Sequence, residues 1–317
     1  MLDELSPPAF YSESVCLRSS QFVRISCGEP KKKEDKSFHS NTTAGSMKAT
    51  LILAVLLVAQ CSAWGQEGHK VVAQIAADRL SQASKDYISE LLKGTQYDTL
   101  PDIAPLADDY DHNSAGRWSS VCHYVNLPRD ATAYDPSYCG KCCVVNAIGN
   151  YTNRISKELQ HDSGVCEFGR GEEPCPLEFL THYIGDIHQP LHVSYGDDAG
   201  GNKVKVDFLG KHTNLHSVWD TYIIQKWLKD FSDASEYLEK LIQDNADKIA
   251  KIEASTDPVD WANESWTITT TDVYNFQGSE LDEGYFKANL PTIQWRLISA
   301  GVRLAATLNN LTANNRK

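Results

Sequence analysis

The chain has 317 residues, of which 41% are hydrophobic and 23% charged, and its formal net charge is −12. This mix is typical of a globular protein and excludes a collagen-like or low-complexity chain. The acidic balance also excludes a protein that holds nucleic acid on a broad basic surface, because such surfaces neutralise phosphates with many Lys and Arg side chains.

Residues 47–63 form a predicted secretory signal peptide. A positive start at Met47-Lys48 is followed by the nine-residue apolar run LILAVLLVA and by small residues up to Ala63. The run is too short for a transmembrane helix, which needs about 20 apolar residues. We therefore predict cleavage before Trp64 and a protein that is secreted or lies in a secretory-pathway compartment, without stable membrane association.

Residues 1–46 precede that signal and contain a Lys/Glu run without clear periodicity. We assign them to a gene-model extension or a disordered leader, and a genuine cytosolic leader that hides the signal is the alternative. The remaining chain, 64–317, has 23 basic and 36 acidic residues. If it acts on nucleic acid, something other than its surface must neutralise phosphate, and a metal cluster would do so.

Six cysteines lie in the predicted mature chain, and an even number in a secreted protein favours disulfides. They are Cys122, Cys139, Cys142, Cys143, Cys166 and Cys175. Six cysteines allow 15 pairings, so the connectivity stays open. Cys139-Gly-Lys-Cys142 also resembles half of a zinc or redox motif, but no second pair follows at zinc-finger spacing. Glycosylation is predicted at three N-x-S/T sequons, Asn150, Asn263 and Asn310.

Apolar residues recur at helical spacing in six segments. The predicted helices cover 67–93, 144–159, 177–188, 215–227, 234–252 and 291–308. Pro190 ends the third of them, and Pro291 marks the start of the last. Alternating apolar residues within 200–212 predict a short strand pair or loop, and 255–288 reads as polar and irregular. We therefore expect one mainly α domain over 64–317, with a short β-hairpin and long loops.

Imidazole and carboxylate groups recur at one-turn spacing on two predicted helices. His182 precedes Asp186 by four residues, and His216 precedes Asp220 by four residues, so each pair shares one helix face. His192 follows the first pair, and His69, Asp108 and His123 lie upstream. Histidine with carboxylate is ligand chemistry for zinc. Each residue alone has an ordinary structural explanation, but separate explanations for the whole set are improbable, and the set suffices for more than one metal ion.

The chain resembles the zinc-dependent type I nuclease family of plants, fungi and protists over essentially all of 64–317. The motifs that carry the resemblance are WGQEGH from Trp64, ADD at 107–109, CHYV at 122–125, AIGNYT at 147–152, FLTHYIGDIHQPLH ending at His192, GGN at 200–202 and NLHSVWD ending at Asp220. The resemblance implies a secreted, single-strand-specific nuclease and 3′-nucleotidase. It also implies the helical fold and three-zinc cluster that the family shares with bacterial zinc phospholipases C.

The resemblance further implies how the ligands divide among three Zn²⁺ ions. One ion would be held by Asp108, His123, His182 and Asp186, a second by His192, His216 and Asp220, and a third by His69, Asp186 and Trp64. Trp64 would act through its free α-amine and carbonyl oxygen, which exist as a chelate only after signal cleavage. The implied catalytic residues are Asp186, which bridges two ions, and Asp108, which orients a metal-bound hydroxide attacking phosphorus to leave 5′-phosphate products.

The expected substrate-binding residues are Tyr124, Asn126 and Asn202. Tyr124 can stack on a base. Asn126 stands where the family has aspartate, which puts base preference in question, and Asp111 stands where the family usually has Lys or Arg near the scissile phosphate. Arg117 or Lys203 are candidates to compensate for that carboxylate.

Two rival functions compete with the nuclease. A zinc phospholipase C could use the same ligands, and a non-catalytic secreted protein could keep the zinc and the fold. The full set of family motifs favours the nuclease, with single-stranded nucleic acid and 3′-nucleotides as its substrates. We expect the protein to be a monomer.

Overall fold

The computed structural model describes residues 64–161, 175–230 and 234–314. The predicted leader over 1–46, the predicted signal peptide over 47–63 and Cys166 lie outside the described residues. The domain boundaries drawn from the sequence therefore stay predictions.

Helices dominate the described chain, which confirms the predicted fold class. They are α1 (Gln66–Ala77), α2 (Gln82–Leu92), α3 (Leu100–Ile103), α4 (Leu106–Asp111), α5 (Val144–His161), α6 (Pro176–Asp186), α7 (Leu215–Ser217), α8 (Ile223–Asp230), α9 (Ala234–Gln243), α10 (Ala246–Ala254), α11 (Pro258–Ile268) and α12 (Glu283–Asn314). Short 3₁₀ segments cover Arg117–Cys122, Pro136–Tyr138 and Pro190–His192, and π-helical segments cover Val218–Tyr222 and Thr269–Val273.

Five short strands form two small sheets. They are β1 (Val125–Leu127), β2 (Val193–Tyr195), β3 (Lys205–Phe208), β4 (Lys211–Asn214) and β5 (Glu280–Leu281). The antiparallel β3–β4 pair is the predicted hairpin, and β5 adds to it in parallel. The parallel pair β1–β2, with Val125 opposite Val193, was not predicted. Since β1 follows His123 and β2 follows His192, this pair brings two predicted ligands side by side.

Helix α6 lies at the centre of the core, and every one of its residues is buried. A helix that is buried all round needs an apolar sequence, and Leu177, Phe179, Leu180 and Ile184 are each fully buried. Helices α1, α5 and α12 pack against it. At the contact between α1 and α12, a Cβ on Gly301 would lie 2.5 Å from Ile75, so only glycine allows this close approach.

The structure corrects two predicted helices. The single helix predicted over 67–93 is two helices, because Ser81 caps α2 by accepting a hydrogen bond from the backbone N–H of Ser84. The backbone N–H of Ser81 also donates to the side chain of Asn309. The single helix predicted over 234–252 is likewise two, with Asp244 and Asn245 between α9 and α10.

Two further predictions were wrong near the C-terminus. The stretch 255–288 is not irregular, because α11 begins at Pro258 with Asp257 as its N-cap and buries Trp261 and Trp266. Pro291 does not start a helix but lies inside α12. Within the described chain, no helix has the length and apolar character needed to cross a bilayer.

Candidate metal centre

Helix α6 carries the first imidazole–carboxylate pair into the interior. His182 and Asp186 are one turn apart and fully buried, with 3.4 Å between Nε2 of His182 and Oδ1 of Asp186. The second pair lies where α7 passes into the π-helical segment Val218–Tyr222, and Nε2 of His216 is 3.0 Å from Oδ2 of Asp220. π-Helical turns occur frequently at functional sites because they re-aim a side chain.

Five of the predicted ligands form one cluster around Asp186. Its Oδ1 is 3.3 Å from Nε2 of His69, and its Oδ2 is 3.0 Å from Nδ1 of His123. Asp108 contributes Oδ1 at 3.2 Å from Nε2 of His182 and 3.6 Å from Nδ1 of His123. The two groupings within it that could each hold a metal ion are His69 with Asp108 and His182, and His123 with His182 and Asp186.

A second cluster consists of His192, His216 and Asp220, all buried, and it too could hold a metal ion. It adjoins the first, because the backbone carbonyl of His123 accepts a hydrogen bond of 2.7 Å from Nδ1 of His192. The eight predicted side-chain ligands, from five separate stretches of sequence, are thus brought together.

Buried polar atoms without hydrogen-bond partners mark the first cluster. They include Nε2 of His69, His123 and His182, and Oδ1 of Asp108 and Asp186. Several of these atoms approach one another within ion-pair distance, but their geometry is not that of hydrogen bonds. Leaving such groups unsatisfied costs about 1–3 kcal/mol each. A metal ion that accepts their lone pairs would remove this cost, so the donor set fits a cation.

Three histidines are held in the tautomer that a metal requires. Nδ1 of His182 donates to the carbonyl of Ala104 at 2.8 Å, and Nδ1 of His216 donates to the carbonyl of Gly200 at 2.6 Å. His192 makes the same kind of bond to His123. Because a carbonyl can only accept, the proton must lie on Nδ1, and the Nε2 lone pair is left for a ligand bond.

The electrostatics of the first cluster are set by two carboxylates among histidines. Burial lowers the pKa of His182, but the negative charges of Asp186 and Asp108 outweigh it and raise that pKa to about 9. Burial and the neighbouring His182 lower the pKa of His69 to about 4. Burial opposes ionisation of Asp186, yet His182 and His123 hold its pKa well below the usual range. In the metal-free protein at neutral pH, therefore, His182 carries a second proton on Nε2, facing the carboxylates of Asp108 and Asp186, and a metal ion would have to displace it.

Trp64, the predicted backbone ligand, is fully buried beside this cluster. A Cβ placed on Gly185 would lie 2.7 Å from Nδ1 of His69 and 3.7 Å from Cδ1 of Trp64. The next residue, Gly65, donates its backbone N–H to the carbonyl of Asp220 at 2.8 Å. The start of the predicted mature chain thus packs beside the first cluster through Trp64 and is hydrogen-bonded to the second cluster through Gly65.

The predicted substrate-binding residues line one pocket. Tyr124, Asn126 and Asn202 share a recess of about 570 Å³ with the metal-cluster residue His216. A recess of this size lies within the range of small-molecule sites. We call it the metal-side pocket. Any group bound there would lie against the second cluster.

Of the two predicted compensating cations, only Lys203 lines the metal-side pocket. Arg117 is the exposed first residue of the 3₁₀ segment Arg117–Cys122, and it does not line this pocket. Asp111 ends α4, one turn after Asp108, and burial raises its pKa. Lys203 is thus the better placed of the two to contact a group bound in the metal-side pocket.

The preference for disulfides over a zinc half-site is confirmed. Cys122 pairs with Cys142, and Cys139 pairs with Cys143. Cys175 is disulfide-bonded as well. Of the three sequons, Asn150 and Asn310 are exposed, whereas Asn263 is half-buried and its side-chain oxygen accepts the backbone N–H of Tyr134.

One residue at the site was missed by the sequence analysis. Gln189 is fully buried, its side-chain amide donates to Oδ1 of Asp220, and its Oε1 accepts the backbone N–H of Leu191. The available signal was its position, directly before Pro190 and between the candidate ligands Asp186 and His192. Nearby, His188 is structural, since its Nδ1 donates to the carbonyl of Ile184 and its Nε2 accepts from Arg303.

Comparison with known proteins bears on this arrangement. Residues 64–313 match the family model described as S1/P1 Nuclease. Endonuclease 4 of Arabidopsis thaliana is 31% identical, with 85% of this chain and 96% of that protein covered. Nuclease P1 of Penicillium citrinum is 33% identical (78% and 97% covered), and Nuclease S1 of Aspergillus oryzae is 30% identical (82% and 94% covered).

Proposed function

The chain belongs to the S1/P1 nuclease family, whose members are hydrolases of phosphodiester bonds, and from this premise we propose that it is a secreted three-zinc nuclease. It cleaves single-stranded DNA and RNA to 5′-phosphate products and removes phosphate from 3′-nucleotides. The observation that carries the proposal is the convergence of eight buried His and Asp side chains beside a pocket lined by Tyr124 and Asn202.

The donor set supports zinc, because neutral imidazole with carboxylate is its usual protein environment. We assign Asp108, His123, His182 and Asp186 to one ion. His192, His216 and Asp220 hold a second. His69 and Asp186, with the backbone amine and carbonyl of Trp64, hold the third.

When bound, the zinc ions supply Lewis acidity that neutralises phosphate charge and lowers the pKa of water towards 7. Asp186 is suited to bridging, because its two oxygens face histidines assigned to different ions, His69 and His123. Asp108 has a depressed pKa despite its burial, through the nearby His182. It is therefore ionised at neutral pH and can accept a proton from the attacking water.

The metal-side pocket is assigned to the base and sugar of the nucleotide at the cleavage point. The Tyr124 ring stacks on the base, and the amides of Asn126 and Asn202 donate and accept hydrogen bonds along its edge. Lys203 contributes positive charge to the same pocket. This charge offsets the carboxylate of Asp111, which stands near the expected path of the phosphate.

Secretion forms part of the proposal. The disulfides Cys122–Cys142 and Cys139–Cys143 suit an oxidising compartment. Removal of a signal peptide before Trp64 would create the α-amine assigned to the third ion. N-glycans at Asn150, Asn263 and Asn310 belong to the same proposal, with Asn150 and Asn310 the more accessible.

The test is to measure zinc content and hydrolysis together in the purified secreted protein. We expect three zinc ions per chain and hydrolysis of single-stranded RNA and 3′-AMP but not of phosphatidylcholine. Asp108→Asn should lose hydrolysis, whereas Asp109→Asn is the matched control, because Asp109 is the exposed neighbour of the buried Asp108. Bound zinc without hydrolysis would identify a non-catalytic zinc protein, and cleavage of phosphatidylcholine alone would identify a phospholipase.

A further inference from the structure

A second recess, which we call the loop-side pocket, adjoins the metal-side pocket. It has a volume of about 300 Å³ and shares Tyr124 and Asn126 with its neighbour. Its other walls include Val121, Tyr138 and Lys141. Since two residues belong to both recesses, an extended ligand that leaves the metal-side pocket past Tyr124 reaches the loop-side pocket next.

The loop-side pocket is preformed by covalent and hydrogen-bonded constraints. Its wall at 139–143 is held by Cys139–Cys143 and tied to the 3₁₀ segment by Cys122–Cys142. The backbone N–H of Val144 donates to the carbonyl of Tyr124 at 3.2 Å, which joins the same loop to the wall shared with the metal-side pocket. Little conformational entropy would therefore be lost when a ligand binds there.

The chemistry of this recess suits a nucleotide. Tyr138 is half-buried and offers an aromatic face, and Val121 is 42% exposed. Lys141 is exposed at the edge of the recess. Aromatic rings for stacking, together with a cation for phosphate, form the usual pattern of single-strand binding.

We propose that the loop-side pocket binds the nucleobase adjacent to the one in the metal-side pocket, on the same single strand. Tyr138 and Val121 contact the base, and Lys141 neutralises the neighbouring phosphate. This inference rests on the proposed nuclease function and assigns it a second subsite. Two neighbouring bases that are paired in a duplex could not turn into the two recesses. The pair of pockets therefore favours unpaired strands.

The test compares an oligonucleotide with a mononucleotide. In Tyr138→Ser, we expect kcat/KM for a single-stranded hexanucleotide to fall about fivefold to a hundredfold, since a stacked base contributes about 1–3 kcal/mol. In Lys141→Glu, we expect kcat/KM for the same substrate to fall as well, because the reversed charge repels the neighbouring phosphate. The kcat/KM for 3′-AMP should not change, because a mononucleotide fills only the metal-side pocket. Tyr237→Ser is the matched control, since Tyr237 is an exposed tyrosine on α9 (43% exposed) outside both recesses.

An abasic nucleotide, placed on each side of the cleaved bond in turn, completes the test. One placement should slow the wild type by the same factor as Tyr138→Ser, and the variant should lose nothing further with that substrate. Equal losses on the hexanucleotide and 3′-AMP, or no loss on the hexanucleotide, would overturn the proposed subsite. Failure of the proposed function is separate, because the wild type would then cleave neither substrate.

Discussion

Three of the five histidines in the candidate metal clusters are each fixed by a hydrogen bond on the far side of the ring. His182, His192 and His216 donate from Nδ1 to the carbonyls of Ala104, His123 and Gly200 respectively. Gln189 orients a carboxylate in the same way, since it donates to Oδ1 of Asp220 and leaves Oδ2 facing His216. Such outer contacts orient ligands and commonly change metal affinity by 10–100-fold.

Replacement of Gln189 by leucine should therefore weaken metal binding at the second cluster about tenfold to a hundredfold. The leucine fills a similar volume but cannot donate to Asp220, so the carboxylate loses its orientation. Competition of the protein with a zinc chelator would measure the affinity of each ion. Gln74→Leu on α1 is the control, because Gln74 is exposed. Zinc affinity equal to the wild type in Gln189→Leu would show that Asp220 is held by other contacts.

At the scale of elements, the approach of α6 to α1 determines where His69 lies. The two helices meet at Gly185, where a Cβ would come within 2.7 Å of Nδ1 and 2.9 Å of Cε1 of His69. Both atoms belong to a buried ring that has little room to move. Gly185 is thus needed for close packing against the candidate metal ligand His69 rather than for an unusual backbone angle.

We predict that Gly185→Ala displaces His69, so that the protein loses one zinc ion and hydrolyses more slowly by at least about tenfold. Gly149→Ala is the matched control. Gly149 is also a helical glycine, in α5, and a Cβ there meets nothing within 4 Å. The control should gain up to about 1 kcal/mol from alanine's helix propensity. Metal analysis and thermal unfolding of both variants would check the prediction, which three retained zinc ions in Gly185→Ala would contradict.

At the scale of the whole molecule, the start of the predicted mature chain is part of the core. Trp64 is fully buried, and Gly65 is bonded to the carbonyl of Asp220. If the Trp64 amine is a ligand, secretion and metal loading are coupled, because an amide nitrogen is a poor ligand. The net charge also favours a metal site, since a chain of net charge −12 needs local cations to hold phosphate.

A protein that begins Met-Trp64 should bind two zinc ions instead of three and lose most of its hydrolytic activity. The extra residue converts the α-amine into an amide and removes that ligand. The comparison is with protein whose first residue is Trp64, confirmed by mass spectrometry, and with a C-terminal extension of one methionine as control. Three zinc ions and full activity in the Met-Trp64 protein would refute the backbone chelate.

Zinc binding should also depend on pH through the whole first cluster. In the metal-free protein the pKa of His182 is raised to about 9, above its ordinary value of about 6.5. Its charge therefore stabilises the metal-free fold below pH 6.5, and that stabilisation disappears as pH rises through 9. Zinc must displace this proton, so its affinity should fall about tenfold for each pH unit below 9. Chelator competition at pH 6, 7 and 8 would measure the slope, and a flat profile would contradict the prediction.

The elements that sequence reasoning placed well are those with strong local signals. Helix α6 was predicted within two residues because its apolar run ends near Pro190. The start of α11 carried an equally local signal, Asp257 before Pro258, but the polar composition of 255–288 concealed it. The break between α1 and α2 carried only the weak local signal of Ser81 as an N-cap residue, and Ser81 is also held by a hydrogen bond to the distant Asn309.

The sequence by itself determined the types of candidate ligand and their one-turn spacing on two helices, because helical geometry and side-chain chemistry are local properties. Its motifs carried the resemblance to the family. The resemblance implied which candidate ligands lie together, but only the tertiary structure shows their contacts, since those of Asp186 with His69 and His123 join residues far apart in the chain. It also decided the role of Gln189 and the adjoining pockets around Tyr124. These features depend on packing between elements, for which a single sequence carries no periodic pattern.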